Sequence, residues 1–313
     1  MQSRDVLSEV GMSIEFDAPI STWFEVGGRA DRLARPRTHD ELRACLRSDS
    51  ELLILGDGAN LLVDDEGVRQ LVISLGQGAF SAVEWNDERV VVGAGAKLPQ
   101  LINESVRRGL SGLETVAGIP ATIGGAIVMN AGGAFGAISD RLVAVHVMNR
   151  DGVQERLPRG RIGFDYRQSG LQGLIILSAE FELLPGDPAK VRERQLEIMA
   201  YKKNSQPMAD KSAGCVFKNP TLAHDLPELL RDGIETAVAG RRVSAGMLID
   251  KAGCKGMTEG GASVSDRHAN FIVTAAGATA RDVMRLMERV QDAVKIRFDV
   301  ELHPEVVLWR RRP

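Results

Sequence analysis

Fifteen of the 33 glycines in this 313-residue chain fall between residues 56 and 136. No other feature limits the fold as much. Glycine at this density without a three-residue repeat rules out a collagen-like helix. It also works against long regular helices through that stretch, because glycine interrupts them. What it permits is close approach of backbone to a ligand or to another segment, where a Cβ would clash. The densest part, GLETVAGIPATIGGAIVMNAGGAFG, has no clear period, yet it is too apolar for a solvated loop.

The common nucleotide loops do not explain these glycines. LGDGANL fails the GxGxxG pattern because Leu61 stands at the third glycine, and no GxxxxGK[ST] occurs. Gly56 and Gly58 then have two readings, a tight strand-to-strand turn or a nest of N–H groups facing a pyrophosphate. In AGIPATIGGAIVMNAG, Gly118, Gly124, Gly125 and Gly132 admit a close neighbour, and Asn130 adds a side-chain amide. Ile119, Ala126, Ile127 and Val128 supply an apolar wall. That set suits a flat ring system with an anionic tail; a purely structural backbone crossing is the alternative.

Patterning along the chain predicts a mixed α+β fold. Asp31–Arg35 and VRQLVISL read as strands, and Thr38 caps an amphipathic helix over DELRACLRSD. LLILGDGANLLV reads as two apolar runs joined by a glycine turn. SAVEWNDERVVVGAG reads as a hairpin turning at Asn86 and Asp87, and KLPQLINESVRRG as a helix ended by Gly109. VAVHVMN, GVQERL and LIILSAEFEL are further strands. After PGDP at 185–188, KVRERQLEIMAYKKN reads as a strongly amphipathic helix. Beyond it come a strand in SAGCVFKNP, a helix near SAGMLIDKAG, a strand in HANFIVT, a long helix in TARDVMRLMERVQDAVKIRF and a last strand in VELHPEVVLW. The expected division is 1–195, in two parts of about 1–78 and 79–195, followed by 196–313.

Composition narrows the function classes. With 39 basic and 42 acidic residues the net charge is −3, and aromatics are 4%. Neither a basic nucleic-acid binder nor an aromatic platform for single strands fits these values. The terminal RRRP is too short for such a patch. The start of the chain lacks the pattern of a secretory signal, and no apolar run reaches the roughly 18 residues of a membrane span. Cys45, Cys215 and Cys254 form no disulfide framework, which fits a reduced cytoplasm. With no CxxC, HExxH or Cys/His cluster, no protein-bound metal is expected.

Eight segments in order carry a resemblance: STWFEVGGRAD, LGDGANLLV, GLETVAGIPATIGGAIVMNAG, FDYRQSG, SAGCVFKNP, AGMLIDKAGCKG, HANFIV and LHPEVVLW. Together they resemble the UDP-N-acetylenolpyruvoylglucosamine reductase family of peptidoglycan synthesis, from about residue 20 to 309. The C-terminal part looks like the shorter type, without the tyrosine-bearing substrate loop. The resemblance implies a two-subdomain FAD-binding domain of the vanillyl-alcohol-oxidase type, plus a smaller α+β domain for the UDP-sugar. It implies NADPH as hydride donor and UDP-N-acetylglucosamine enolpyruvate as substrate. The FAD pyrophosphate would lie at Gly56, Gly58, Ala59, Asn60 and Leu61. The flavin and ribityl chain would lie along Gly118, Ile119, Pro120, Gly124, Gly125, Asn130, Ala131 and Gly132. Gly93, Ala94 and Gly95 would be close to the same cleft.

Reducing an alkene that bears a carboxylate needs charge stabilisation, a positioned acid and a dry site. Arg167 in FDYRQSG is the implied carboxylate partner, because a guanidinium fork binds that group bidentately. Glu305 in LHPEVV would stand beside it, as an acid or as a hydrogen-bond partner that shares a proton with the substrate. Cys215 occupies the position where the family usually has serine as proton donor. Its thiol, with an ordinary pKa near ~8.5, gives up a proton more readily than an alcohol does. Lys218, Asn219 and, more weakly, Gln206 would face the uridine diphosphate. Ala59 stands where serine is frequent, which removes one side-chain hydrogen bond and leaves the backbone nest. Two other readings are an alcohol oxidase on the same flavin fold and a UDP-sugar-binding module without chemistry. Arg167, Cys215 and Glu305 together argue for the reductase.

Overall fold

The computed structural model describes residue 7 and residues 11–311. They form two compact units. The first runs to Pro19 and includes Ala30–Asp57 and Arg69–Lys202; the second is Ile20–Arg29, Gly58–Val68 and the chain from Lys203. Two N-terminal segments, Ile20–Arg29 and Gly58–Val68, group with the chain from Lys203 rather than with their sequence neighbours. They belong to the second unit because strand Leu61–Val63 pairs in parallel with Val307–Trp309, and because Phe24 and Leu62 are part of that unit's core. A pairing of such long sequence separation leaves no local period to read.

The first unit holds two main sheets, besides two short two-stranded pairings, Gly132–Gly133 with Gly136–Ala137 and Leu110–Ser111 with Leu184–Pro185. One has the strand order Ile14–Pro19, Arg29–Ala34, Val68–Ser74, Leu53–Leu55. Helix α1 (His39–Ser48) is capped as expected, the Thr38 hydroxyl accepting from the Glu41 N–H at 3.2 Å. Its Leu42, Ala44, Cys45 and Leu46 pack with Leu52, Leu71 and Ile73. Each buried leucine or isoleucine of this set stabilises by about 2 kcal/mol.

The second sheet is antiparallel, in the order Gln154–Pro158, Leu142–Met148, Ile175–Glu182, Arg89–Gly93, Val83–Asn86. The side chains of strand Ile175–Glu182 alternate between faces, and the register shift at Leu177, between the pairs Ser178–His146 and Ile176–Val147, swaps the alternation. Ile176, Ala179 and Phe181 pack with Leu98, Leu101 and Ile102 of helix α2 (Leu98–Arg107), whereas Ile175 and Leu177 join the core of the first sheet. This sheet therefore has a core on each face. Its hairpin pairs Asn86 with Arg89, so the turn residues are Asp87 and Glu88, one position later than predicted. Asp87 takes the positive φ of 49° that the turn requires.

Two helices complete the unit, α3 (Ile123–Val128) and α4 (Pro188–Ser205). The first forms despite Gly124 and Gly125, because Thr122 caps it and Ile123, Ala126 and Ile127 are buried. The second forms where predicted, but it is not strongly amphipathic. It buries only Val191, Gln195 and Ile198 and leaves Leu196, Met199 and Tyr201 exposed.

In the second unit, helices α5 (Pro227–Arg231), α6 (Ala245–Lys251) and α7 (Ala280–Phe298) accompany a small sheet of Thr258–Glu259, Ala262–Val264 and Ile272–Thr274. Thr279 and Asp282 form a capping box at the start of α7, and the Asp65 carboxylate accepts from Ala280 N–H at 2.7 Å and Arg281 N–H at 3.0 Å. SAGCVFKNP makes isolated bridges rather than the predicted strand, Cys215 pairing with Phe271 and Phe217 with Pro304. Gly214 bends it with φ 79°. The last strand shrinks to Val307–Trp309, since Pro304 has no N–H for a ladder. Among the described residues no helix is long and apolar enough to cross a membrane, and no cluster of His, Cys, Asp or Glu could hold a metal ion.

One charge cluster ties three strands of the second sheet. Arg156 grips Glu180 with both arms, Nε to Oε1 at 2.8 Å and Nη2 to Oε2 at 2.7 Å, and His146 Nε2 lies 2.7 Å from Oε1. The Arg156 bond holds the Glu180 carboxyl down at about 2, against burial, which works the other way. A depressed acid stabilises the fold above its ordinary range, and that stability is lost as pH falls through the folded value. Glu180→Gln is expected to cost about 1 kcal/mol near neutral pH in urea unfolding, with the difference fading between pH ~4.5 and ~2.

Candidate active site

Within the first unit, three of the glycine-rich segments converge. Residues 94–98 run antiparallel to 121–124: Gly124 N–H donates to Ala94 O at 2.7 Å, Ile123 N–H to Ala96 O at 2.9 Å, and Leu98 N–H to Ala121 O at 2.9 Å. Gly56 meets the same place, since a Cβ there would lie 2.8 Å from Thr122 Oγ1. Next to it, the Asp57 carboxylate accepts from the Lys97 ammonium. So Gly56, Gly93–Gly95 and Gly118–Gly125 are neighbours in space.

The cause of the glycines is partly different from the expected one. A Cβ on Gly93 would sit 2.2 Å from Phe80 O, and one on Gly95 would sit 1.7 Å from Leu75 O. The chain's own backbone demands glycine at these two positions. At Gly118 a Cβ would meet Lys202 Cδ at 3.0 Å and Met199 Sδ at 3.1 Å.

The turn after these segments positions Asn130 and Arg167. Asp165 and Gln168 bond to each other's backbone and put Tyr166 and Arg167 at the corner, Arg167 with φ 56°. Asn130 also has a left-handed φ, 41°, a strained state for a residue with a side chain. Its Nδ2 donates to Asp165 O at 3.0 Å, and Arg167 Nη1 donates to Gly132 O at 2.8 Å. Ala131 N–H donates to Ala126 O at 2.7 Å, which fixes the step from α3 into this turn. Asn130 Oδ1 is buried and has no hydrogen-bond partner among the described residues. Such an acceptor costs free energy until a donor arrives. Lys202 on α4 was not predicted. Its Nζ donates to Ala117 O at 2.6 Å, and burial, helped by the Arg167 charge, lowers its pKa to about 8.

The second unit gathers the other candidates. Gly58, with φ 64° and a would-be Cβ 2.1 Å from Ser21 O, leads through Ala59 and Asn60 to the buried Leu61. Asn60 Nδ2 donates to Glu305 O at 3.1 Å, and Asn60 O accepts from Val307 N–H at 3.0 Å. Glu305 N–H donates to Val216 O at 2.8 Å and Lys218 N–H donates to His303 O at 2.9 Å. This backbone pairing makes the segments of Cys215 and Glu305 adjacent. Asn270, 2% exposed and also unpredicted, clasps both backbone groups of Phe217, accepting from its N–H at 3.0 Å and donating to its O at 2.8 Å. Cys215 is half-buried and forms no disulfide. Asn219 has a structural duty, because its Oδ1 accepts from Ala245 N–H at 2.9 Å at the start of α6. Gln206 O accepts from Arg267 Nη1 at 3.3 Å.

A first unit with converging glycine segments, followed by a smaller α+β unit, has the make-up of a flavin-binding oxidoreductase. Residues 30–157 match a family described as an FAD binding domain, and residues 206–309 match the C-terminal domain of UDP-N-acetylenolpyruvoylglucosamine reductase. The chain is 39% identical to that reductase from Moorella thermoacetica over 294 residues, 92% of this chain and 90% of the relative. It is 36% identical to the one from Bacillus subtilis over 292 residues, covering 91% and 89%. The crystal structure of UDP-N-acetylenolpyruvylglucosamine reductase (MurB) from Thermus caldophilus superposes with a TM-score of 0.77 at 37% identity, covering 95% of this chain and 98% of that one. The chain belongs to the UDP-N-acetylenolpyruvoylglucosamine reductase family, FAD oxidoreductases of peptidoglycan synthesis with NADPH as co-substrate. The residues fit FAD: its imide N–H and ribityl hydroxyls are donors of the kind the buried Asn130 Oδ1 lacks.

Lys202 makes the fold pH-dependent. A lysine whose folded pKa is depressed binds its proton more weakly folded than unfolded, so stability rises with pH between about 8 and its ordinary 10.5. The difference between the parent and Lys202→Met in urea unfolding is expected to change by at most about 3 kcal/mol across that range. A flat difference would show that the ammonium is not desolvated.

Proposed function

We propose that the chain converts UDP-N-acetylglucosamine enolpyruvate to UDP-N-acetylmuramate, with Arg167, Cys215 and Glu305 as its chemical groups. FAD, when bound, supplies hydride transfer from NADPH to the substrate. The substrate gains that hydride at C3 of its vinyl ether and a proton at C2, so both electrons and both hydrogens are accounted for. Charge develops at C2 and spreads into the carboxylate, where Arg167 offers a guanidinium fork held on one side by Gly132 O. A cation already in place stabilises that charge without reorganising. Cys215 gives its thiol proton to C2 and is reprotonated from solvent. Glu305 holds the carboxylate or passes a proton. Lys218, Gln206 and the amide of Asn219 take the diphosphate side.

The observation that carries this reading is the pairing of the Cys215 and Glu305 segments, reinforced by Asn270 and Asn60. It holds an acid and a carboxyl on neighbouring segments, as the reaction needs. The pyrophosphate is assigned to Gly56–Leu61 and the flavin to Gly118–Gly132, with Gly93–Gly95 as their support. The reading places the enzyme in the cytoplasm, consistent with three cysteines that form no disulfide.

The half-reactions separate the roles. Cys215→Ala is expected to keep flavin reduction by NADPH, followed as bleaching in stopped flow, and to lose reoxidation by the enolpyruvyl substrate by at least about 100-fold. Cys215→Ser is expected to keep measurable turnover. Normal turnover by Cys215→Ala would remove Cys215 from the chemistry. NADPH oxidation that ignores the sugar nucleotide would overturn the whole reading.

A further inference from the structure

Asp57 raises a problem that the proposed function leaves unsolved. It lies between Gly56 and Gly58, inside the loop assigned to the FAD pyrophosphate. A carboxylate there repels a dianionic group, and the backbone N–H donors of a nest do not remove its charge. In the structure its charge is met by the Lys97 ammonium, the Asp57 side chain being 21% exposed and that of Lys97 48%. Lys97 is well placed by backbone alone. It stands just before α2, pairs with Thr122 across an antiparallel bridge, and its segment continues into the Ala96 and Ala94 bonds with Ile123 and Gly124. Gly56, one residue before the carboxylate, abuts Thr122 as well. So the ion pair closes the point where all three glycine segments meet.

We propose that Lys97 is a positioning residue for FAD: it neutralises Asp57 and clasps the pyrophosphate loop to the segment that supports the flavin side. This rests on the cofactor reading above. The asymmetry is the signature. Without Lys97, Asp57 faces the pyrophosphate uncompensated. Without Asp57, the Lys97 ammonium is released toward the anion. A surface ion pair with a merely structural role would show neither sign.

The test is FAD binding to apoprotein, read by quenching of flavin fluorescence at low and high salt, with thermal melting of each apoprotein alongside. Lys97→Met is expected to weaken FAD binding about tenfold at low salt, and less at high salt. Asp57→Asn is expected to bind as tightly as the parent or more tightly. The double variant is expected to recover to within about threefold of the parent. A Lys97→Met protein that binds FAD like the parent, or a double variant no better than Lys97→Met, overturns the proposal. So does a loss of affinity matched by an equal loss of apoprotein stability. A parent chain that takes up no FAD overturns instead the cofactor reading on which the proposal stands.

Discussion

The backbone crossing of residues 94–98 with 121–124 is the constraint on which the first unit depends. Three hydrogen bonds between Ala94, Ala96, Leu98 and the facing segment hold it, and they need glycines around them. Gly95 packs so close to Leu75 O that any side chain would break the contact. The crossing starts α2 and α3, brings Gly56 against Thr122, and sends the chain into the strained turn at Asn130. Every later feature of the unit's site follows from it: the orphan acceptor of Asn130, the docking of Arg167 on Gly132, and the Lys202 contact with Ala117.

The second unit solves a different problem with side-chain amides. The Cys215 segment is bent by Gly214 and paired only in isolated bridges, so it cannot rely on a ladder. Asn270 replaces two ladder bonds at Phe217, and Asn60 replaces one at Glu305. A buried amide that is fully used rigidifies its surroundings, because any shift leaves polar groups unpaired. Rigid support of this kind is what the proposed proton donor and its neighbouring carboxyl would need to keep one geometry.

Much of the fold was legible. Thr38 announced its helix through a side-chain cap, which is local, and apolar strand runs marked the second sheet. Helix α4 shows where periodicity misleads: its apolar residues do not share a face, and Met199 and Tyr201 remain exposed. The proposed site residues stand in short motifs, which the sequence shows directly. Their support was not legible. Lys97, Asp57, Lys202 and Asn270 act through partners tens of residues away, so their neighbours in sequence carry no signal of the pairing.

The sequence by itself determined the family, the clustered glycines and the cysteine at position 215. It also determined the class of chemistry, since each residue type there has few uses. The tertiary structure decided why several glycines are needed at all, as at Gly93 and Gly95, where backbone meets backbone. It decided that Gly58–Val68 joins the C-terminal half, through the parallel pairing of Leu61–Val63 with Val307–Trp309. It also decided that Lys97 meets Asp57. The physical reason is common to all three: they are contacts between segments far apart in the chain, and only folding sets the distance between them.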